Sequence, residues 1–244
     1  MRLVAWNCNM ALHRKLGALR SLAPDVAVLS ECARPDIVAE RAGLASLCAD
    51  STWIGANHHK GLAVLGFNGY RVALDQRYKS SHRYVAPVRV SGRRRFNLLA
   101  VWAQNFSAGV TRKRQPGPLR LALRRYHEFL DEVPSLVAGD FNNNLTWDKP
   151  GWLMNFSHTL EVLDSLGLYS VYHHVTGEAF GEESTPTIYW RDRTKDGPTY
   201  HIDYVFAPHT WLPKVRNIEL GCFEDWCGSR LSDHVPLTVD LDLD

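Results

Sequence analysis

The chain has 244 residues, 45% of them hydrophobic and 22% charged, which is ordinary globular composition and enough length for one large domain or two small ones. Its 28 Lys and Arg against 26 Asp and Glu leave a net charge of +2, so overall charge neither demands nor excludes a polyanionic partner and local clusters must decide. The five cysteines form no CxxC pair, which argues against a disulfide framework or zinc site, and neither an apolar leader nor a window of about 18 apolar residues is present, so a cytoplasmic protein without a membrane span is expected.

In chain order, "RLVAW" reads as a strand, "HRKLGALRSL" as a short amphipathic helix and "DVAVLSE" as a second apolar strand after Pro24. "KGLAVLGF", "YVAPVRVS" and "RFNLLAVWAQN" follow as strands with little room for helices between them, which predicts antiparallel pairing. From Pro118 the spacing of Leu119, Ala122, Leu123, Tyr126, Leu130 and Val133 predicts a helix that Pro134 stops. "SLVAGDF" is then a strand, and "SHTLEVLDSLG" a helix with Ser157 as its cap and Gly167 as its stop. "PTIYW", "YHIDYVFA", "KVRNIELG" and "HVPLTVDLDL" complete the series as strands. With no linker or low-complexity tract, the two β-rich halves are expected to pack face to face as sheets within a single domain spanning residues 1–244.

Nearly all the unusual polar residues sit at strand ends. Asn7 and Asn9 follow the first strand, Glu31 ends the second, Asp140 and Asn142 follow "LVAG", Asp203 lies in "YHIDYVF", and Asp233 and His234 precede the last strand. Singly, "GDFN" and "SDH" each read as ordinary turns. Gathered together, they make a pocket of carboxylates, amides and one imidazole, which suits a hard divalent cation and a phosphate better than thiolate or zinc chemistry. Hydroxide is repelled by an anionic phosphodiester, so its hydrolysis needs a cation, a positioned water and a stabiliser of developing charge. Glu31, Asp140 and His234 are candidates for these parts, and Asn142 adds a neutral donor.

The ordered set Trp6-Asn7, Ser30-Glu31, Gly139 to Asn142, His201 to Phe206 and Leu231 to Leu237 resembles the endonuclease/exonuclease/phosphatase superfamily, exonuclease III-like nucleases included, over nearly the whole chain. The resemblance implies a four-layer α/β sandwich of two mostly antiparallel sheets with helices outside, and Mg²⁺- or Mn²⁺-dependent cleavage of phosphodiester bonds in DNA. It implies that Glu31 is the principal metal ligand, assisted by Asn7 and with Asp233 near the metal. Asp140 would orient or deprotonate the attacking water, Asn142 would hold the phosphate or that water, and Asp203 would fix the tautomer of His234. Asn9 stands where relatives often carry Asp.

Other positions depart from the family. Trp102 occupies the place of a phosphate-contacting His or Tyr and is either at the substrate or core packing, while Asn105 matches an Asn of the abasic-site enzymes. Glu31 is followed by Cys32-Ala33 rather than Thr-Lys, which predicts weakened abasic-site specificity. The inositol phosphatase element is missing around Asp203. Arg112, Lys113, Arg114, Arg120, Arg124 and Arg125 form a basic loop and helix edge that is either a DNA-backbone surface or a solvated face. Arg93 to Arg95 read as an exposed hairpin turn, and Tyr189, Trp190 and Trp226 as base-stacking or packed aromatics. The paired histidines at 58–59 and 173–174 are not expected in the site, since neighbours on a strand point apart. DNA is the expected partner, the protein is expected to be monomeric, and the competing readings are a small-ester phosphatase or phosphodiesterase and a non-catalytic DNA-binding relative.

Overall fold

A computed structural model of the chain describes residues 1–44, 50–82, 84–105, 109–190 and 194–243. The first half runs β1 (Arg2–Asn7), α1 (Leu16–Ser21), β2 (Val26–Cys32), α2 (Pro35–Ala42), β3 (Ser51–Asn57), β4 (Lys60–Gly66), β5 (Arg71–Leu74), β6 (Val85–Ser91) and β7 (Phe96–Trp102). After α3 (Gly109–Arg114), α4 (Pro118–Arg125) and α5 (His127–Asp131) come β8 (Ser135–Asp140), α6 (Ser157–Ser165), β9 (Leu168–Ser170) and α7 (Val171–Thr176). The chain ends with β10 (Ile188–Tyr189), β11 (Thr199–Tyr200), β12 (Asp203–Pro208), β13 (Val215–Leu220) and β14 (Leu237–Leu241).

Two six-stranded sheets result, ordered β13-β14-β1-β2-β4-β3 and β5-β6-β7-β8-β12-β9, with β10 and β11 as a separate small hairpin. Each sheet holds one parallel pair, β1 with β2 and β7 with β8, and every other pairing is antiparallel. The side-chain period of two explains the layering. On β1, Leu3 and Ala5 enter the core between the sheets while Val4 and Trp6 pack beneath α1 and α2. On β7, Leu98, Ala100 and Trp102 face the inter-sheet core and Leu99 and Val101 face the helices α4 to α6. Strands buried on both faces read as continuous apolar runs, which is why these were legible in the sequence.

The structure differs from the sequence expectation in identifiable places. The helix predicted over residues 118–133 breaks at Tyr126, which leaves helical geometry at φ −103°. Its ring is buried there, its hydroxyl accepts a hydrogen bond from Lys79 N at 3.0 Å, and the shorter α5 buries Phe129 completely. Ser157 is the first residue of α6 rather than its cap. The carboxylate of Asp148 takes that role, accepting from the backbone N–H of Phe156 at 2.5 Å and of Ser157 at 2.9 Å. Gly167 does stop the helix, at φ +66°. The stretch "HRKLGALRSL" divides into a 3₁₀ turn at Leu12–Arg14 and α1. The helices α2, α3 and α7 and the strands β3, β5 and β9 were not read from the sequence; each is short or lacks clean periodicity. Among the described residues no helix is long and apolar enough to cross a membrane.

The segment "GDFN" shows what its odd composition is for. Gly139, the last residue but one of β8, has φ +134°, and a Cβ there would stand 2.0 Å from Val101 O on β7. Phe141 is then buried against Phe206, Tyr204 and Phe156, and Asn142 turns the chain at φ +50° with its N–H on Asp140 Oδ1 at 2.8 Å. The glycine lets two strands close, the aromatic anchors the turn, and the asparagine takes the left-handed conformation that bulkier residues resist. Replacement of Gly139 by Ala is therefore expected to cost about 3 kcal/mol or more in urea unfolding, with a loss below about 0.5 kcal/mol contradicting the close-approach argument.

Candidate active site

The carboxyl ends of both parallel pairs point to one place: β1 ends at Asn7, β2 reaches Glu31 one residue before its end, and β8 ends at Asp140. Asn7 Nδ2 donates to Asp140 Oδ2 at 3.0 Å and so bridges the two sheets. Asn7 Oδ1 accepts from Asn9 N at 3.1 Å, and Asn9 Nδ2 donates to Asp233 Oδ1 at 3.0 Å. Ser232 Oγ donates to Asn7 O at 2.6 Å and accepts from His234 N at 3.1 Å, while the Trp6 indole donates to His234 O at 3.1 Å. A hydrogen-bonded chain thus runs from "SDH" through "WN" to "GDFN".

Asp203 opens β12 directly opposite Asp140 in the antiparallel register. Two buried carboxylates on facing positions repel, and one must be neutralised or compensated. His234 does this. Its Nδ1 lies 2.7 Å from Asp203 Oδ2, with both side chains buried. Since a carboxylate accepts, Nδ1 carries the proton, and Nε2 is left for another partner. Burial alone would lower the basicity of His234, but Asp203, and after it Asp140 and Asp233, outweigh burial and push its pKa up to about 10. Burial and the neighbouring charge of Asp203 push Asp140 up to about 7, against the opposing pull of His234, Asn7 and the Asn142 N–H. Thr187, which the sequence reading missed, anchors the pair by accepting from the N–H groups of Ile202 and Asp203 at 2.9 and 3.0 Å.

Among the described residues, Asp140, Asp203 and His234 form one group whose donor atoms lie within 4.8 Å of one another. His234 already serves Asp203 there. Glu31 offers a further carboxylate at the neighbouring strand end, next to the Ser30 that Asn7 faces in the β1–β2 register. Glu31 sits in a β-bulge at φ +56°, where the β2–β4 register shifts between Leu29 and Cys32, and Lys60 Nζ stands 2.9 Å from its Oε2. Asp203 Oδ1, the oxygen not used by His234, is buried without a hydrogen bond.

A cavity of about 330 Å³ adjoins Asn142, lined also by Asn105, Arg112, Trp147, Trp190 and Tyr200. Trp147 and Tyr200 meet edge to face at 4.8 Å, and Trp190 is 45% exposed at the rim. Asn105 Nδ2 donates to the backbone carbonyls of Phe141 and Asn142 at 3.1 and 2.7 Å, so it holds the turn that presents Asn142. Arg112 lies over the Trp147 ring at 6.0 Å, donates to Asn143 Oδ1 at 3.2 Å, and keeps its Nε buried without a partner.

Some candidates fall elsewhere. Trp102 resolves to core packing: it is buried between the sheets against Tyr84, because its position in the β7 alternation matches Leu98 and Ala100. Arg120 reaches Leu153 O at 3.4 Å and Arg124 is exposed on α4, and neither lines the cavity. Tyr189 and Trp226 are packed, against Phe223 and Trp6, whereas Trp190 faces the cavity. Arg93 to Arg95 form the exposed turn between β6 and β7, as expected. His58 and His59 are exposed on the β3–β4 turn, and His173 pairs with Glu183 at 3.2 Å, outside the cavity lining.

The pair has a spectroscopic consequence. In ring-proton NMR, His234 is expected to stay an imidazolium through neutral pH and lose its charge near pH 10, whereas in Asp203→Asn burial dominates and the midpoint falls toward or below its ordinary value near 6.5. The folded-state pKa is raised, so the pair's stabilisation is complete below about pH 6.5 and is lost as pH rises through about 10. An unchanged midpoint in Asp203→Asn would contradict the assignment.

No protein-family profile matches the sequence, and no curated protein matches it. Solved structures do. A 3'-5' exonuclease (NExo) from Neisseria meningitidis superposes with a TM-score of 0.70 at 17% identity, over 99% of this chain and 100% of that one. The AP endonuclease LMAP from Leishmania major gives 0.70 at 15% identity, over 100% of this chain and 88% of that one. An AP endonuclease from Archaeoglobus fulgidus gives 0.66 at 15% identity, over 100% of both chains. The chain therefore has the fold of these exonuclease and AP endonuclease structures, consistent with its motif resemblance to the endonuclease/exonuclease/phosphatase superfamily.

Proposed function

We propose that this protein is a divalent-metal-dependent deoxyribonuclease that hydrolyses phosphodiester bonds in DNA, in repair or nucleic-acid turnover, and acts as a cytoplasmic monomer of one domain spanning residues 1–244. The observation that carries the reading is the joining of Asn7, Asp140, Asp203 and His234 at the strand ends of two sheets. The shared fold with exonuclease and AP endonuclease structures supports it.

In this reading Asp140 takes the proton of the attacking water. With its pKa near 7 it is basic enough to accept a proton and ionised often enough to do so at neutral pH. Asn7 and the Asn142 N–H hold its two oxygens, which fixes the direction from which it works. His234, kept cationic by Asp203, donates from Nε2 to a non-bridging phosphate oxygen, where negative charge accumulates in the transition state. Asn142 adds a neutral donor to the same phosphate. Mg²⁺ or Mn²⁺ would be held by Glu31 with Asn7 and Asp233, and when bound supplies charge neutralisation at the phosphate and the leaving oxygen. Trp147, Trp190 and Tyr200 offer faces for the nucleotide beside the scissile bond, Arg112 offers a cation to the adjoining backbone, and Asn9 holds Asp233 by a hydrogen bond. Arg120 and Arg124 extend that basic surface along α4.

Purified protein and end-labelled duplex DNA test this directly. Excess chelator is expected to abolish cleavage and Mg²⁺ or Mn²⁺ to restore it. Asp140→Asn and His234→Ala are each expected to lower kcat by about 10²-fold or more with little change in DNA affinity. Full turnover in chelator, or wild-type turnover in both variants, would sink the proposal. Log affinity is expected to fall linearly with log salt by about 0.9 per neutralised phosphate, and Arg112→Ala to reduce that slope by about one contact. A flat salt response would point to a small phosphate ester instead.

A further inference from the structure

Glu31 has a cation on it already. Lys60 Nζ lies 2.9 Å from Glu31 Oε2, and the same ammonium stands 5.6 Å from the centre of the Trp102 ring. The placement is built into the backbone. Lys60 opens β4 at the closing position of the β3–β4 hairpin, paired with Asn57, and Gly61 pairs with Cys32 just past the bulge that carries Glu31. A Cβ at Gly61 would stand 2.5 Å from Ile54 O and from the Trp53 ring, and the Trp53 indole donates to Cys32 O at 3.0 Å. The hairpin is thereby seated on β2, and the root of the Lys60 side chain is fixed opposite Glu31.

The far end is not so confined. The Lys60 and Glu31 side chains are 38% and 20% exposed, so the pair lies at the edge of water, where an ion pair contributes little and exchanges readily. Trp102 lends the ammonium an aromatic face beside the carboxylate, which is the part its buried ring can still play near the site.

We propose that Lys60 is the resident counter-ion of Glu31, that it yields the carboxylate to the divalent ion, and that it then acts as a positioning residue on the DNA phosphate. The inference rests on Glu31 being the metal ligand. An ammonium and a divalent ion draw on the same oxygen, so Lys60 weakens metal binding in the DNA-free protein. A phosphate that attracts Lys60 away from Glu31 relieves that competition, which couples metal binding to substrate binding.

The test is the affinity for Mn²⁺ alone, read from the electron paramagnetic resonance of the free ion, in the DNA-free full-length protein, Lys60→Met, Lys60→Arg and Glu31→Gln. Lys60→Met is expected to bind Mn²⁺ about three- to fivefold tighter than wild type, the range of a solvent-edged ion pair. Lys60→Arg is expected to bind like wild type. At saturating Mn²⁺, Lys60→Met is expected to raise KM for duplex DNA about threefold to tenfold, as loss of one phosphate contact would. Loss of Mn²⁺ binding in Glu31→Gln with no gain in Lys60→Met overturns the role of Lys60 alone. Equal Mn²⁺ binding by wild type and Glu31→Gln overturns the metal assignment and this inference with it.

Discussion

Two carboxylates, Asp140 and Asp203, are placed opposite each other on adjacent strands and buried, and the rest of the site is organised around keeping that arrangement tolerable. Taking both charges out of water without compensation would cost several kcal/mol per ion. His234 answers one carboxylate through a 2.7 Å bond, and Asn7 answers the other at 3.0 Å. Burial, together with the remaining repulsion from Asp203, pushes the pKa of Asp140 up to about 7. A general base suited to neutral pH thus follows from strand register rather than from any single residue's nature.

That register is itself protected. Gly139 lets β7 and β8 approach where a side chain would strike Val101 O, Phe141 seats the following turn in an aromatic cluster, and Asn105 ties the turn's carbonyls. Truncating a buried phenylalanine of this kind costs about 3–5 kcal/mol, so the turn is fixed by packing far more strongly than by its own hydrogen bonds. On the other side, Thr187 and Ser232 hold the backbone at Asp203 and His234. Fold and site share these contacts, and a change in either disturbs both.

Much of this was legible in the sequence, and the reason is periodicity. Apolar runs that break into Asn, Glu or Asp mark strands whose ends are polar, and such breaks placed Asn7, Glu31 and Asp140, while the ordered motif resemblance joined Asp203 and His234 to them. What the sequence concealed depends on distance in space. Lys60 meets Glu31 only because a bulge and a hairpin place them together, and Thr187 serves Asp203 across a 16-residue separation. Trp102 resolved to the inter-sheet core once the parity of β7 was known, which alternation alone cannot assign to one buried face or the other. The break at Tyr126 was hidden because both halves of the segment keep an apolar face.

The central claim is that Asp203 and His234 work as one unit on DNA. A double-mutant cycle on kcat for cleavage of a labelled duplex, using Asp203→Asn, His234→Ala and their combination, tests it most directly. The account predicts strong non-additivity, with the double variant about as slow as the slower single variant, because removing either partner disables the same imidazolium. Rate losses that multiply, or a wild-type protein that leaves the duplex uncut with divalent metal present, would contradict it.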